Sequence, residues 1–277
     1  MKWLHFILSH SIFIAVCAVA MCFQTTTLLQ IHTDKWLFGF VFFATLFSYN
    51  SYWLLSRKIF GSVFYQQIFF KKERLKIILL GMYSAGVFVC YLYSPLTLNS
   101  IWPALILNLL YAIPLLPFKI LSFTKRIGFL KTTLLAFTWM YVTAFLPLLK
   151  PASSLTGIET TLLLNRFLFM LLLCIVFDTR DVSIDKIRGL QSIATDVKPA
   201  FLRFLVLMFF VLFTGNVYLL QYFGMDLEHA VALLVSMLAT GCIYYLSLQK
   251  RGYFFYYFFV DGLMLFSALA TFIASIY

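Results

Sequence analysis

The chain has 277 residues, of which 63% are hydrophobic, 19% are aromatic and only 11% are charged. Soluble globular domains carry about 25% charged residues, so this composition excludes an ordinary soluble protein and predicts a polytopic membrane protein. The formal net charge of +11 reflects basic residues at the ends of apolar segments, and we expect no nucleic-acid partner.

Apolar runs recur along the whole chain at lengths that suit membrane-spanning helices, which need about 17–25 residues each. They lie at Trp3–Phe23, Trp36–Leu55, Leu75–Tyr93, Leu98–Leu116, Leu130–Leu149, Leu162–Phe177, Phe201–Leu220, His229–Leu248 and Tyr253–Tyr277. These runs predict an all-α bundle of about nine transmembrane helices. Because no linker or low-complexity segment divides them, we expect residues 1–277 to form a single integral membrane domain.

The basic residues alternate with the apolar runs and so predict an orientation in the membrane. Of the 21 Lys and Arg residues, all but Lys35, Lys150 and Arg166 lie at the amino terminus or near every second connection. Lys and Arg near helix ends favour the cytoplasmic side. We therefore predict a cytoplasmic amino terminus and an external carboxyl terminus. Arg166, near the outer end of the sixth run, is expected to snorkel to the membrane interface.

Three carboxylates follow the sixth run at helical spacing. Asp178, Asp181 and Asp185 stand at positions i, i+3 and i+7 and therefore share one helix face. Their mutual repulsion is unfavourable unless a cation, a basic partner or water compensates it. Mg²⁺ suits such oxygen ligands, since it takes a few carboxylates and completes its shell with waters and phosphate oxygens. The alternative is a solvated segment in which neighbours such as Arg180 pair with the acids.

Further polar residues gather on the same predicted cytoplasmic side. Asn50 ends the second run, and the basic residues Lys58, Lys119, Lys125 and Arg126 lie in the connections that follow the second and fourth runs. Positive-inside bias alone accounts for basic residues in such loops. Together with the acids, however, they suit a ligand that has a metal-bound polyphosphate head, while the apolar bundle suits a hydrocarbon tail. An isoprenyl diphosphate has both parts.

The segment after the sixth run resembles the second Asp-rich motif of the UbiA superfamily of intramembrane prenyltransferases. The family sequence there is approximately D-x-x-D-x-x-x-D-x-x-x-G-x-x-T, and this chain has Asp178, Asp181, Asp185, Gly189 and, in place of Thr, Ser192. A segment similar to the family's fourth-to-fifth connection begins at Tyr111 and contains Lys119, Lys125 and Arg126. The resemblance implies a nine-helix fold, Mg²⁺ as cofactor, and these residues at a diphosphate site.

The first Asp-rich motif of the family is degenerate in this chain. Family members have N-D-x-x-D-x-x-x-D at the end of the second helix. Here Asn50 matches, whereas Ser51, Leu54 and Lys58 replace the three aspartates. Half of the family's metal ligands are therefore missing. Lys58 would neutralise phosphate directly, as a fixed cation in place of a metal ion.

The resemblance predicts a Mg²⁺-dependent prenyltransferase that moves an isoprenyl group from a prenyl diphosphate to a lipophilic or aromatic acceptor within the membrane. The incomplete first motif leaves an alternative of another class, a non-catalytic protein that binds isoprenoids or lipids. A transporter is a third hypothesis, which the clustering of acids at one membrane face disfavours because coupling sites usually lie near the bilayer midplane.

Two features of the last run add to these expectations. Asp261 lies inside the run, and an intramembrane acid indicates a functional role with a partner; a loop cation or water in a cavity would serve equally. The aromatic sequence from Tyr253 to Phe259 is interpreted as an interfacial belt, in preference to a box of rings around a cation.

Overall fold

The computed structural model describes residues 2–32, 34–60, 70–112, 128–149, 154–188 and 191–276. Within these ranges every regular element is a helix. In chain order they are α1 (Lys2–Ser9), α2 (Ile12–Leu28), α3 (Lys35–Phe60), α4 (Phe70–Tyr93), α5 (Leu98–Ala112), α6 (Gly128–Leu148), α7 (Gly157–Arg188), α8 (Ile193–Asp196), α9 (Pro199–Tyr222), α10 (Leu227–Ser247) and α11 (Phe255–Ala274).

The lengths and surfaces of these helices are those of a membrane protein. In the described ranges seven helices are long and apolar enough to cross a bilayer, and α1 with α2 forms an eighth, bent span. The shorter apolar helix α5 occupies the place of the fourth predicted run. Large apolar side chains such as Leu238 and Met82 face outward, which soluble monomers avoid over wide areas. The prediction of an all-helical, multi-pass membrane protein is confirmed.

Helix α7 forms the centre of the bundle. Every residue from 168 to 176 is buried, and a helix that is apolar on all sides is stable only when other helices surround it. Helices α6, α9, α10 and α11 pack around it. The helix then continues beyond its apolar part to Arg188, so it carries the acidic residues Asp178 and Asp181 to one end of the bundle. We call this the acidic end.

The first predicted span is broken, which the apolar pattern does not reveal. Helices α1 and α2 meet at an angle of 69°, and Ser11 between them has a left-handed backbone with φ of 61°. A break inside a membrane leaves carbonyl groups without helical partners, and these need other donors. The amide nitrogen of Asn50, on α3, donates to the carbonyl of His10 at 3.2 Å. A polar side chain of α3 thus stabilises the bend.

Small residues allow α3 and α4 to pack closely. A Cβ atom on Gly39 would lie 2.8 Å from the Cys90 sulfur, and one on Gly86 would lie 2.6 Å from the Phe43 ring. Close backbone approach through small residues is a general means of helix association in membranes. This packing positions the end of α3 that carries Asn50.

Arg166 lies inside the bundle with only 3% of its surface exposed, so the expectation that it snorkels to the interface is wrong. Its Nη2 donates to the Met21 carbonyl at 3.2 Å and to the Thr25 hydroxyl at 3.1 Å, and its Nη1 contacts the Met21 sulfur at 2.9 Å. The side chain has no path to the interface because α7 is enclosed at this height. Acceptors on α2 therefore take the place of water.

Gly128 offers a direct test of how the segment after α7 packs against α6. A Cβ atom there would lie 2.4 Å from the backbone of Ser192, which cannot yield as a flexible side chain would. Gly128→Ala should therefore lower the unfolding free energy by about 1–3 kcal/mol or more, the usual cost of overpacking. Thermal unfolding in detergent measures this.

Gly81→Ala is the matched control, since a Cβ atom on this helical glycine meets nothing within 4 Å. We expect it to leave the melting temperature unchanged or to raise it, because Ala favours a helix over Gly. Equal melting temperatures for the two variants would contradict the packing of Ser192 on α6.

Candidate functional site

Asp178 is held at the acidic end by a hydroxyl group of the neighbouring helix. Thr132 on α6 donates from Oγ1 to Asp178 Oδ2 at 2.5 Å. Thr132 Oγ1 also accepts a hydrogen bond from the backbone N–H of Ile193 at 3.4 Å. Hydrogen bonds to a charged acceptor are shorter and stronger than those between neutral groups. Thr132 therefore joins α6, α7 and the start of α8 around one carboxylate.

Asp181 is paired with its sequence neighbour. Arg180 donates from Nε and Nη2 to the two carboxylate oxygens at 2.6 and 2.7 Å, the two-point geometry that Arg and carboxylate groups favour. The local pairing considered from the sequence is therefore present. It compensates the charge of Asp181 within the protein.

Aromatic rings fix the position of the Arg180 guanidinium. Its central carbon lies 5.0 Å from the ring centroids of Phe177, Tyr256 and Tyr257, which is within the range of cation–π attraction. The last two rings belong to a π-helical turn, Phe255–Val260. The charged pair is thus clamped between α7 and α11.

The aromatic sequence at the start of α11 is only partly an interfacial belt. Phe254 and Phe259 are exposed, whereas Tyr256 is buried at 2% exposure against Arg180. Those inward-facing rings form the box around a cation that the sequence interpretation ranked second. The cation is a side chain of the protein.

The carboxylates described at the acidic end are oxygen ligands of the kind that hard cations prefer, but there are few of them. Among the side chains that the structure describes, no three Asp, Glu, His or Cys residues come together as a metal site. The side chain of Asp185 lies outside that part, although its backbone continues the same helix. Mg²⁺ often binds through one or two carboxylates and completes its shell with waters and phosphate. Asp178 supplies one such carboxylate, and the part of Asp185 stays a prediction.

Asn50 lies partly buried on α3 and has both of its amide protons in use. Its Nδ2 donates to Leu46 and His10 carbonyls at 2.8 and 3.2 Å, which leaves Oδ1 as the atom for any further contact. The next residue, Ser51, has a buried hydroxyl without a partner among the described residues. The degenerate first motif is therefore folded into the bundle without a carboxylate.

The predicted basic residues are not described at side-chain level. Lys119, Lys125 and Arg126 belong to residues 113–127, outside the described ranges. For Lys58 only the helical backbone at the end of α3 is described. Their proposed contact with a diphosphate stays a prediction. A basic residue that is described, Lys131 on α6, lies within electrostatic reach of Cys174, one turn before Asp178.

A cavity of about 350 Å³ opens between the α1–α2 break, α3, α4 and α11. This is within the range of small-molecule sites, about 300–1,000 Å³. Its polar lining includes His10, Asn50, Lys76, Tyr253, Tyr257 and Asp261. Asn50 thus lies on the wall of this cavity, and its contact with a diphosphate stays a prediction.

The cavity and the acidic end meet at the side chain of Tyr257. Tyr257 contacts Arg180 on one side and lines the cavity on the other. Cys174 lies within electrostatic reach of both Asp178 and Asp261. Sequence reasoning did not identify Thr132 or Tyr257 as site residues. An isolated hydroxyl in an apolar run and one Tyr among many aromatic residues give no distinct signal.

The chain was compared with known protein families, sequences and solved structures. No protein-family model and no curated protein sequence matches the chain. A solved structure of a digeranylgeranylglyceryl phosphate synthase, a UbiA-type prenyltransferase, aligns with a TM-score of 0.56 and 14% sequence identity. The alignment covers 97% of this chain and 95% of that one. The protein therefore has a UbiA-like membrane fold.

Thr132→Val tests the hydrogen bond that holds Asp178, since it keeps the shape of the side chain and removes the hydroxyl. We expect a loss of about 1.5–3 kcal/mol in unfolding free energy, the usual worth of a hydrogen bond to a charged group. Thermal unfolding in detergent measures the loss.

Thr138→Val on the same helix is the control, because the Thr138 hydroxyl bonds only to a carbonyl one turn earlier, that of Leu134. Its effect should be clearly smaller. A loss in Thr138→Val as large as in Thr132→Val would refute a special role for the Asp178 contact.

Proposed function

We propose that the protein is an intramembrane prenyltransferase that transfers an isoprenyl group from a prenyl diphosphate to a lipophilic or aromatic acceptor. One observation carries the proposal: the acidic end of α7 lies beside a cavity with a mainly apolar wall and a few polar groups, in a chain whose fold matches, over 97% of its length, that of a solved UbiA-type prenyltransferase. The acids suit the diphosphate head of such a donor, and the apolar bundle suits its tail.

In this proposal Asp178, Asp181 and Asp185 form the metal-binding face, with Mg²⁺ as the cofactor. When bound, Mg²⁺ would offset the negative charge that collects on a departing diphosphate. The residues themselves hold and orient: Thr132 fixes the Asp178 carboxylate, and the ring-bound Arg180 keeps Asp181 in place. Because both Asp181 oxygens already accept hydrogen bonds from Arg180, a metal ion would have to share these oxygens with Arg180.

The diphosphate is proposed to meet positive charge from Lys58, Lys119, Lys125 and Arg126, with Asn50 at its edge. Cations fixed by the protein would then replace the charge that a first Asp-rich motif supplies through metal ions in the family. We further propose that the acidic end and the amino terminus face the cytoplasm, as the distribution of basic residues predicts.

A second candidate function is binding of an isoprenoid lipid without turnover. Two observations favour it: Arg180 already neutralises Asp181, and Ser51, whose hydroxyl is buried, stands where the family has its first aspartate. A protein with these features would still accept a diphosphate head and a prenyl chain. Turnover distinguishes the two functions.

Release of pyrophosphate from prenyl diphosphates of several chain lengths, with Mg²⁺ and a mixture of phenolic and alcoholic acceptors, tests the proposal. An enzyme releases pyrophosphate and forms a prenylated product. Saturable binding of the donor without release of pyrophosphate would contradict the enzyme proposal and support the non-catalytic binding function.

Donor binding should depend on the acidic face of α7. Asp178→Asn should weaken the Mg²⁺-dependent binding of a non-hydrolysable prenyl thiodiphosphate by about tenfold or more, because one ligand charge in a low-dielectric site is worth at least about 1.4 kcal/mol. Titration of the analogue by calorimetry measures the affinity.

Asp226→Asn is the control for total charge. Asp226 precedes α10 at the opposite end of the bundle, and its side chain is 61% exposed. Equal weakening of binding by the two variants, or none by Asp178→Asn, would be incompatible with a metal-bound diphosphate at the acidic end.

A further inference from the structure

Asp261 has a buried carboxyl group that is not hydrogen-bonded to any other described residue. It is 7% exposed and lines the cavity described above. Of the residues that the structure describes, none donates a hydrogen bond to it or forms a salt bridge with it; Arg180 is within electrostatic reach but bonds to Asp181. The mechanism of the acidic end does not use it.

A carboxylate in this position requires a partner. Burying a charge or a polar group without a hydrogen bond is costly, and ionisable residues inside membranes are retained mainly where they face a cavity and a ligand. The missing partner must then come from the cavity. Asp261 directly follows the π-helical turn Phe255–Val260, and π-helical turns occur often at functional sites.

The walls of the cavity define what enters it. Tyr49, Tyr83, Tyr253 and Tyr257 surround the space together with Phe13 and Trp53. Such walls bind an apolar or aromatic body and leave a few polar groups to orient it. Asp261 follows Tyr257 on α11 by four residues, and the Tyr257 ring both lines the cavity and contacts Arg180 at the acidic end.

We propose that Asp261 is a catalytic residue of the acceptor site, the base that accepts the proton of an acceptor hydroxyl group; this inference rests on the proposed function. The acceptor oxygen bonds to the allylic carbon of the donor while the bond from that carbon to the diphosphate oxygen breaks. The electron pair of the broken bond leaves with the diphosphate, and the hydroxyl proton passes to an Asp261 oxygen.

The carboxyl group of Asp261 limits the class of acceptor. A carboxylic acid would place two acids side by side in a site of low dielectric constant, where they repel each other once both ionise. An amine would be held there as its protonated, non-nucleophilic form. An uncharged phenol or alcohol avoids both problems, even with His5, His10 and Lys76 on the remaining walls. The cavity is therefore assigned to a neutral hydroxyl compound with an aromatic or alkyl body.

Asp261→Asn in the full-length protein tests the base. Transfer of a radiolabelled prenyl group to a phenol or an alcohol should fall by about 10²–10⁴-fold in kcat, the usual contribution of a general base. Affinity for the prenyl thiodiphosphate should stay within about threefold of wild type, because the donor head binds elsewhere. Asp261→Glu, which keeps the carboxylate, should recover part of the activity.

A steric variant tests the cavity without changing any charge. Leu79 on α4 lines the cavity, whereas its neighbour Ile78 is 60% exposed toward lipid. Leu79→Trp should raise the acceptor KM at least tenfold and leave donor affinity unchanged. Ile78→Trp adds the same bulk on the lipid side and should match wild type, and this pair remains informative if Asp261→Asn fails to fold.

The outcomes separate the inference from the function on which it rests. Wild-type transfer with unchanged kcat in Asp261→Asn, or preferred transfer to amines or carboxylic acids, would overturn the inference and leave the prenyltransferase standing. Absence of pyrophosphate release from every donor would overturn both. Selective loss of transfer with intact donor binding supports them together.

Discussion

A carboxylate at the edge of a membrane stays charged only where another group compensates its charge, and α7 carries three carboxylates within eight positions. The structure compensates two of them in different ways. Arg180 takes Asp181 in a two-point ion pair, and the Thr132 hydroxyl stabilises Asp178. The remaining architecture at this end depends on these contacts, because they join α6, α7, α8 and α11.

Two other buried polar side chains are held by partners on neighbouring helices. Arg166 is enclosed by the bundle and bonds to oxygens of α2, and Gln24 donates to Ser267 and Thr271 on α11. These groups have partners within the protein and serve to hold helices together. Asp261 has no such partner and faces a cavity. A ligand in that cavity would supply the partner that Asp261 lacks among the described residues.

Much of the fold could be predicted from the sequence, because membrane helices must be long, apolar and continuous. The runs from Trp36 to Leu55 and from His229 to Leu248 match α3 and α10 within a few residues. The break between α1 and α2 could not be foreseen, since the side chain that bonds to it, Asn50, lies forty residues away in the sequence. The same holds for Arg166, whose burial follows from the enclosure of α7 by neighbouring helices.

The candidate site was predictable in part. The spacing of Asp178 and Asp181 identified the acidic face, and the intramembrane position of Asp261 identified an acid in need of a partner. Neither pattern could tell that Arg180 is held by rings from α11, because that contact joins residues almost eighty positions apart. The UbiA-like fold is confirmed, whereas the diphosphate contacts of Lys58, Lys119, Lys125 and Arg126 stay predictions.

The most direct test of the account is an experimental structure with Mn²⁺ in place of Mg²⁺ and a non-hydrolysable prenyl thiodiphosphate, in which anomalous scattering locates the metal ion. The account predicts Mn²⁺ and the diphosphate at Asp178 and Asp185, with the reactive carbon of the prenyl group directed toward the cavity that contains Asp261. A diphosphate bound away from α7, or a prenyl chain that leaves the bundle on the side opposite Asp261, would contradict it.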